Sequence, residues 1–249
     1  MYHSLTKRKR VRKKYVVSVN LFKEDLKYIK DNGYTTIWIQ DLIDYVENKK
    51  DLPEKPIILT FDDGFYNNYL YAFPLIREYN CKMVISPIAK EIDRYSFDIS
   101  DSHTEYAYCT WSQLKEMTDS KLVEVQNHSY NMHRVRGRNG VLRKKSESLD
   151  EYKKKLSEDF KSAQRKIEEE AGVTPTAFTY PLGAINKESM NILKGLGCKV
   201  FLNCEEKINK ITRNNPKCLY NLKRFLRTYK KSSENYFKTK IERSMVNAK

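Results

Sequence analysis

Apolar residues recur along this chain in two periods, and their alternation predicts an α/β fold. Short apolar and β-branched runs stand at 35–39, 57–61, 82–87, 122–127, 177–180 and 198–203, with the length and composition of buried strands. Between them, apolar positions return at helical spacing. Leu21, Phe22, Leu26 and Ile29 make one such face, which stops at Gly33. A short helix is predicted over 39–46 and another over 69–79. A third covers 111–120, with the Leu114/Met117 spacing of a helix and Thr110 as its cap. The clearest helix start is Ser148-Leu149-Asp150-Glu151, a capping box in which Glu151 follows the cap by three residues. The helix it opens runs to about Ala171 and ends at Gly172, with Pro175 beyond, and one more spans 186–196 before Gly197. Strands that alternate with helices pair in parallel. One domain over 1–229 follows, while 230–249, polar and basic with weak helical character, reads as a peripheral tail.

The run at 57–61 leads straight into two adjacent carboxylates, Asp62 and Asp63, and then Gly64. Alone, an Asp-Gly turn accounts for them. Yet α/β folds build their sites at the carboxyl ends of strands, where both carboxylates can face one cleft. A second cluster about 65 residues on, His128-Ser129-Tyr130-Asn131-Met132-His133, follows the run at 122–127. The four histidines are at 3, 103, 128 and 133, so two of them lie five residues apart. On a helix, side chains at that spacing diverge by about 140°. At a strand exit that bends into a turn, both imidazoles can face one point. Two histidines with one carboxylate form a recurrent ligand set for a metal with open positions. Ordinary surface or polar-core histidines are the bland alternative, and the Asp pair puts the metal reading ahead. The stretch 134–145 is basic, contains Gly137 and Gly140, and reads as a mobile loop beside this cluster.

At 249 residues the chain suffices for one large α/β domain. Its 47 Lys and Arg against 32 Asp and Glu give a formal charge of +15, which favours polyanionic partners and says nothing about fold. Residues 7–14 hold seven basic side chains in eight positions. Such a run can be a nucleic-acid patch but is more often a solvated loop, and no nucleic-acid reading motif accompanies it. Five cysteines without a CxxC pair are neither a disulfide framework nor a zinc ribbon. No apolar stretch is long enough to cross a membrane, and the start lacks the apolar region of a signal peptide. Because Met1-Tyr2-His3-Ser4 opens where an element should already be under way, an upstream segment is expected to be missing.

Three blocks in this order, Thr60-Phe61-Asp62-Asp63-Gly64, His128 to His133, and Phe178-Thr179-Tyr180-Pro181-Leu182-Gly183, resemble the first three motifs of the polysaccharide deacetylases. These are the NodB-homology enzymes, carbohydrate esterase family 4. The resemblance runs from Met1 to about Arg227 and is nearest the branch acting on poly-N-acetylglucosamine and peptidoglycan. It implies a distorted (β/α) barrel that removes N-acetyl groups from amino sugars of a cell-wall or extracellular polysaccharide. It also implies an extracytoplasmic or cell-surface location. Asp63, His128 and His133 become the ligands of a divalent metal, zinc by default, and Asp62 the general base. The backbone N–H of Leu182 becomes an oxyanion donor, with Tyr180 and Pro181 as substrate contacts. A turn explains the Tyr-Pro-Leu-Gly block as well.

Two departures from the family pattern remain. No histidine follows position 133, so the usual C-terminal general acid is absent and His3 is its expected replacement, with a disordered terminal residue as the alternative. The Arg that often opens the third motif is Thr179 here. Arg224 or Arg227 can take over orienting the base, although a basic helix face explains them equally well. The competing function is a decayed scaffold that binds an anionic polymer, such as one of the cell wall, through the +15 surface. An intact Asp62/Asp63/His128/His133 set argues against decay.

Overall fold

The computed structural model describes residues 1–8, 10–11, 13–97, 104 and 107–246. Lys9 and Arg12 of the basic run, His103 and the last three residues of the tail lie outside the described residues. In chain order the elements are β1 (Ser4–Thr6), β2 (Val16–Ser18), α1 (Val19–Asp31), β3 (Thr35–Thr36), α2 (Ile39–Val46), β4 (Pro56–Ile57) and β5 (Thr60–Asp63). A π-helical turn, Asn68–Ala72, leads into α3 (Phe73–Glu78), followed by β6 (Met83–Pro87), α4 (Ala89–Phe97), α5 (Trp111–Asp119) and β7 (Val123–Val125). The second half holds α6 (Leu149–Ala171), β8 (Ala177–Thr179), α7 (Lys187–Gly195), β9 (Val200–Leu202), α8 (Ser233–Tyr236) and α9 (Arg243–Val246), with a π-helical stretch between the last two.

Every strand pair is parallel, as alternation of strands and helices requires. The strands form four short sheets, β1-β2, β3-β4, β5-β6-β7 and β8-β9, rather than one continuous barrel sheet. Single bridges stitch them together: Tyr2 to Phe61, Asn127 to Phe178, and Leu202 to Leu222. Met1 continues the series, its carbonyl accepting from the Arg227 N–H at 2.9 Å while the Tyr2 N–H donates to the Thr60 carbonyl at 2.7 Å. The first two residues therefore lie between β5 and the segment that carries Arg224 and Arg227.

The expected strand at 57–61 divides because it changes neighbour midway. Its first half bonds to β3, the Ile37 N–H donating to the Ile57 carbonyl at 2.9 Å. Its second half bonds to β6, the Val84 N–H donating to the Leu59 carbonyl at 2.8 Å. The strand expected at 35–39 shrinks to β3 because Ile39 is already helical. There the Glu124 carboxylate accepts the N–H groups of Ile39 and Gln40 at 2.8 and 3.1 Å and so satisfies two otherwise unpaired donors at the start of α2. The capping box at Ser148 and the left-handed Gly172 bound α6 as expected.

The peripheral tail expected after Tyr229 is corrected. Tyr236 and Phe237 are 5% and 2% exposed, and Phe237 stacks on Tyr28 of α1 at 4.7 Å. Two rings at adjacent positions in a π-distorted turn leave no clean amphipathic period to read, yet they complete the core. None of the helices formed by described residues is long and apolar enough to cross a membrane.

Candidate active site

Asp63 is the last residue of β5 and sits in the left-handed region at φ 73°. Gly64 follows at φ 81°, where a Cβ would meet Pro87 Cβ at 2.8 Å, so the turn after the Asp pair requires glycine. Beyond β7, Ser129 is also left-handed at φ 72°, its N–H donating to Asn127 Oδ1 at 2.8 Å. That bend turns the chain so that His128 and His133 face Asp63. Both Nε2 atoms lie 3.5 Å from Asp63 Oδ1, and that oxygen is buried with no hydrogen-bond partner. The ligand atoms of the three residues all fall within 4.8 Å of one another. His128 Nδ1 donates to the Thr179 carbonyl at 2.7 Å, which leaves the Nε2 lone pair aimed at Asp63. A buried carboxylate oxygen without a donor, between two imidazole nitrogens, fits a divalent cation held by one oxygen and two nitrogens.

The charges agree with that fit. Burial opposes ionisation of Asp63, but His128 beside it outweighs burial and holds the carboxyl below its ordinary range. For His128 burial works against the proton, and the Asp63 and Asp62 carboxylates push its pKa up. His133 moves the other way, lowered by burial and by His128.

Asp62 points into the same cavity. Arg224 grips it bidentately, Nη1 to Oδ1 at 2.6 Å and Nη2 to Oδ2 at 2.9 Å, and both side chains are buried. Burial raises the Asp62 pKa, yet the Arg224 guanidinium and then His3 overcome it and hold the carboxyl well below the usual range. Of the two arginines expected from the sequence, only Arg224 reaches the site. Arg227 pairs with Asp25 on α1 at 2.8 and 2.9 Å and is a structural tie. Neither lies on a helix, so the basic-helix explanation falls away.

His3 is ordered at the cavity, its Nε2 4.0 Å from Asp62 Oδ2. Burial lowers its pKa, against the pull of Asp62 and Asp63. Asn68 Nδ2 donates to the His3 carbonyl at 2.8 Å, and Asn67 takes the Leu5 N–H at 2.7 Å and donates to Ser4 Oγ at 2.9 Å. Sequence reasoning missed both asparagines. Their only signal was position, directly after Asp-Asp-Gly-Phe-Tyr, and their bonding partners lie more than 60 residues upstream.

Leu182 lines the cavity, left-handed at φ 60° and 41% exposed. Asp63, Ser129 and Leu182 thus place three of the chain's strained residues around one site. Tyr180 and Pro181, expected as substrate contacts, line no part of the cavity. The Tyr180 ring is fully buried against Phe178 and Phe201, and its hydroxyl accepts from Ser189 Oγ at 3.2 Å.

Glu147 closes the basic stretch 134–145. It takes the Lys144 N–H at 2.9 Å and pairs with Arg138 and Lys155. Burial opposes its charge, but these donors lower its pKa to about 2. The contribution is therefore present above the ordinary Glu value and lost as pH falls toward 2. Glu147→Gln should cost on the order of 1–3 kcal/mol near neutral pH. Chemical denaturation at several pH values should show the gap between the proteins narrowing below pH ~4.5.

Comparison with known proteins agrees with the geometry. Residues 49–201 match the family model described as polysaccharide deacetylase. Over 210 residues the chain is 26% identical to the poly-beta-1,6-N-acetyl-D-glucosamine N-deacetylase of Escherichia coli, covering 76% of this chain and 31% of that protein. The Staphylococcus aureus protein of the same name is 25% identical over 201 residues, covering 78% of this chain and 63% of its own. The chain thus spans from about a third to under two thirds of these relatives. A solved de-N-acetylase from Aggregatibacter actinomycetemcomitans superposes with a TM-score of 0.79 at 28% identity, covering 95% of this chain and 97% of that one. With three ordered motifs converging on one cavity and more than half its length matched by the family model, the chain belongs to the polysaccharide deacetylase family.

Proposed function

We propose that this chain hydrolyses N-acetyl groups from amino sugars of a polysaccharide and releases acetate, using a divalent cation held by Asp63, His128 and His133. The observation that carries the reading is the buried, unpartnered Asp63 oxygen facing two imidazole nitrogens at 3.5 Å. The donor set of one oxygen and two nitrogens suits zinc, which catalytic sites hold with two histidines and a carboxylate. Such a cation would polarise the acyl oxygen and lower the pKa of a water. Asp62 then receives the proton of that water. Arg224 keeps it ionised and fixes its orientation at the cost of basicity, so Asp62 can hold the proton only briefly before passing it on. Water's oxygen forms the new bond to the acyl carbon, the C–N bond breaks, and the leaving nitrogen takes up a proton.

His3 Nε2 lies 4.0 Å from the Asp62 oxygen and would have to close on it, or reach it through one water, to pass the collected proton to that nitrogen. His3 therefore need not be charged beforehand, which accords with its lowered pKa. The left-handed Leu182 supports an oxyanion role for its N–H. The stitched ring of parallel strands reads as the distorted barrel of the family. The relatives' names support an N-acetylglucosamine polymer as substrate, and the +15 charge favours an anionic polymer of the cell wall, met at the cell surface. The close grouping of Asp63, His128 and His133 and the Arg224 grip on Asp62 support a working enzyme over decay into a mere binding scaffold.

The test is acetate release from N-acetylglucosamine oligomers and peptidoglycan by zinc-loaded protein. Release should fall to background on chelation and return with added metal. Release that survives complete metal removal would refute the reading.

A further inference from the structure

Resting on the deacetylase reading, we infer that Arg10, Lys14 and Tyr15, which stand between β1 and β2, form a subsite for an anionic glycan. Tyr15 offers a face to a sugar ring, while Arg10 and Lys14 meet negative groups repeated along the polymer. β1 and β2 run in parallel, so the chain between them must return along their length. Arg10, Lys14 and Tyr15 line one wall of the cavity of about 850 Å³ that holds Asp62, Asp63 and the histidines. Tyr15 is 48% exposed, with its ring centroid 4.8 Å from that of His3 and the Lys14 ammonium 5.2 Å from its ring. An aromatic face left open to solvent beside a reacting centre is apolar surface waiting to be covered.

Charge complementarity gives the occupant its sign. Each carboxylate lining the cavity has a counter-charge inside the site: Asp62 has Arg224, Glu206 has Lys240, and Asp63 would have the cation its cluster holds. Arg10 and Lys14 add their cations to one wall without adding an acid. A cleft lined by one sign of charge concentrates ligands of the other. Cations spread along a wall match charges that repeat down a chain better than a single carboxylate.

The experiment compares two oligomers of equal length, one of N-acetylglucosamine alone and one alternating N-acetylglucosamine with glucuronate. Acetate release is measured on both, and binding of the labelled anionic oligomer by fluorescence anisotropy. Wild-type protein should favour the anionic oligomer at low salt and lose that preference near ~1 M salt, where the screening length is about 3 Å. The double variant Arg10→Gln/Lys14→Gln should lower both the anionic-to-neutral ratio of kcat/KM and the affinity for the anionic oligomer by about tenfold. Tyr15→Ala should raise KM for both oligomers alike. A ratio and affinity untouched by the double variant, or a wild-type preference for the neutral oligomer, overturns the subsite. Absence of acetate from both polymers overturns the deacetylase reading instead. The anisotropy arm then decides the subsite by itself, supporting it if the double variant loses salt-sensitive binding and overturning it if binding persists.

Discussion

Asp62→Asn is expected to cut acetate release by roughly a hundredfold to ten-thousandfold, the range for losing a general base, while the protein still takes up zinc. The two adjacent carboxylates have separate surroundings, and the prediction follows from that separation. Asp63 Oδ1 has only the two imidazoles near it, whereas both Asp62 oxygens are engaged by Arg224. An amide at 62 cannot accept a proton from water, yet it leaves Asp63, His128 and His133 untouched. Asp63→Ala should lose zinc and activity together, because it removes the oxygen at the centre of the cluster. Titrating zinc into each variant and measuring turnover on the same samples separates the roles. If Asp62→Asn lost zinc as completely as Asp63→Ala, the assignment of base and ligand would be wrong.

Local signals in the sequence reached far, and they failed where partners are distant. Ile39–Val46 was legible as a helix to the residue, and the Ser148 capping box and Gly172 bound α6 because caps are local chemistry. The grouping of Asp63 with His128 and His133 was legible too, since a strand exit after an apolar run restricts where His128 and Asp63 can point. The division of 57–61 was not, because an apolar run carries no record of which neighbour each half will bond. Arg224 and Arg227 stand three residues apart in the same basic stretch, yet one meets Asp62 at a separation of 162 residues and the other Asp25 at 202. No periodicity decides between them; only the closed circuit of Met1 against the 225–227 segment does. Tyr180 shows the converse error. A motif position was taken for a contact, but burial in the core assigns its ring to packing, and only the neighbouring Leu182 reaches the cavity.

Arg224→Met should be the most damaging change for stability, costing about 3–5 kcal/mol, because it strands a buried carboxylate without its counter-charge. The pH dependence should invert with it. In the wild-type protein the Asp62 pKa is depressed, so its contribution is present above the ordinary carboxylate value and disappears only as pH falls through the lower folded value. Without Arg224 burial acts on Asp62 with far less opposition, the folded pKa rises, and stability is lost as pH increases above the ordinary value. Activity should shift in the same sense, appearing only at pH high enough to ionise the base. Adding Asp62→Asn to Arg224→Met should then restore part of the lost stability near neutral pH, since a neutral amide is less costly to bury than an unpaired charge. Arg224→Lys keeps the charge but not the planar fork, so it should retain more stability than Arg224→Met while turning over more slowly than wild type. Urea denaturation of the two single variants and the double variant between pH ~4 and ~8 measures the coupling directly. Strictly additive losses at every pH would mean that Arg224 and Asp62 do not act as a unit, and the orienting role would fall with them.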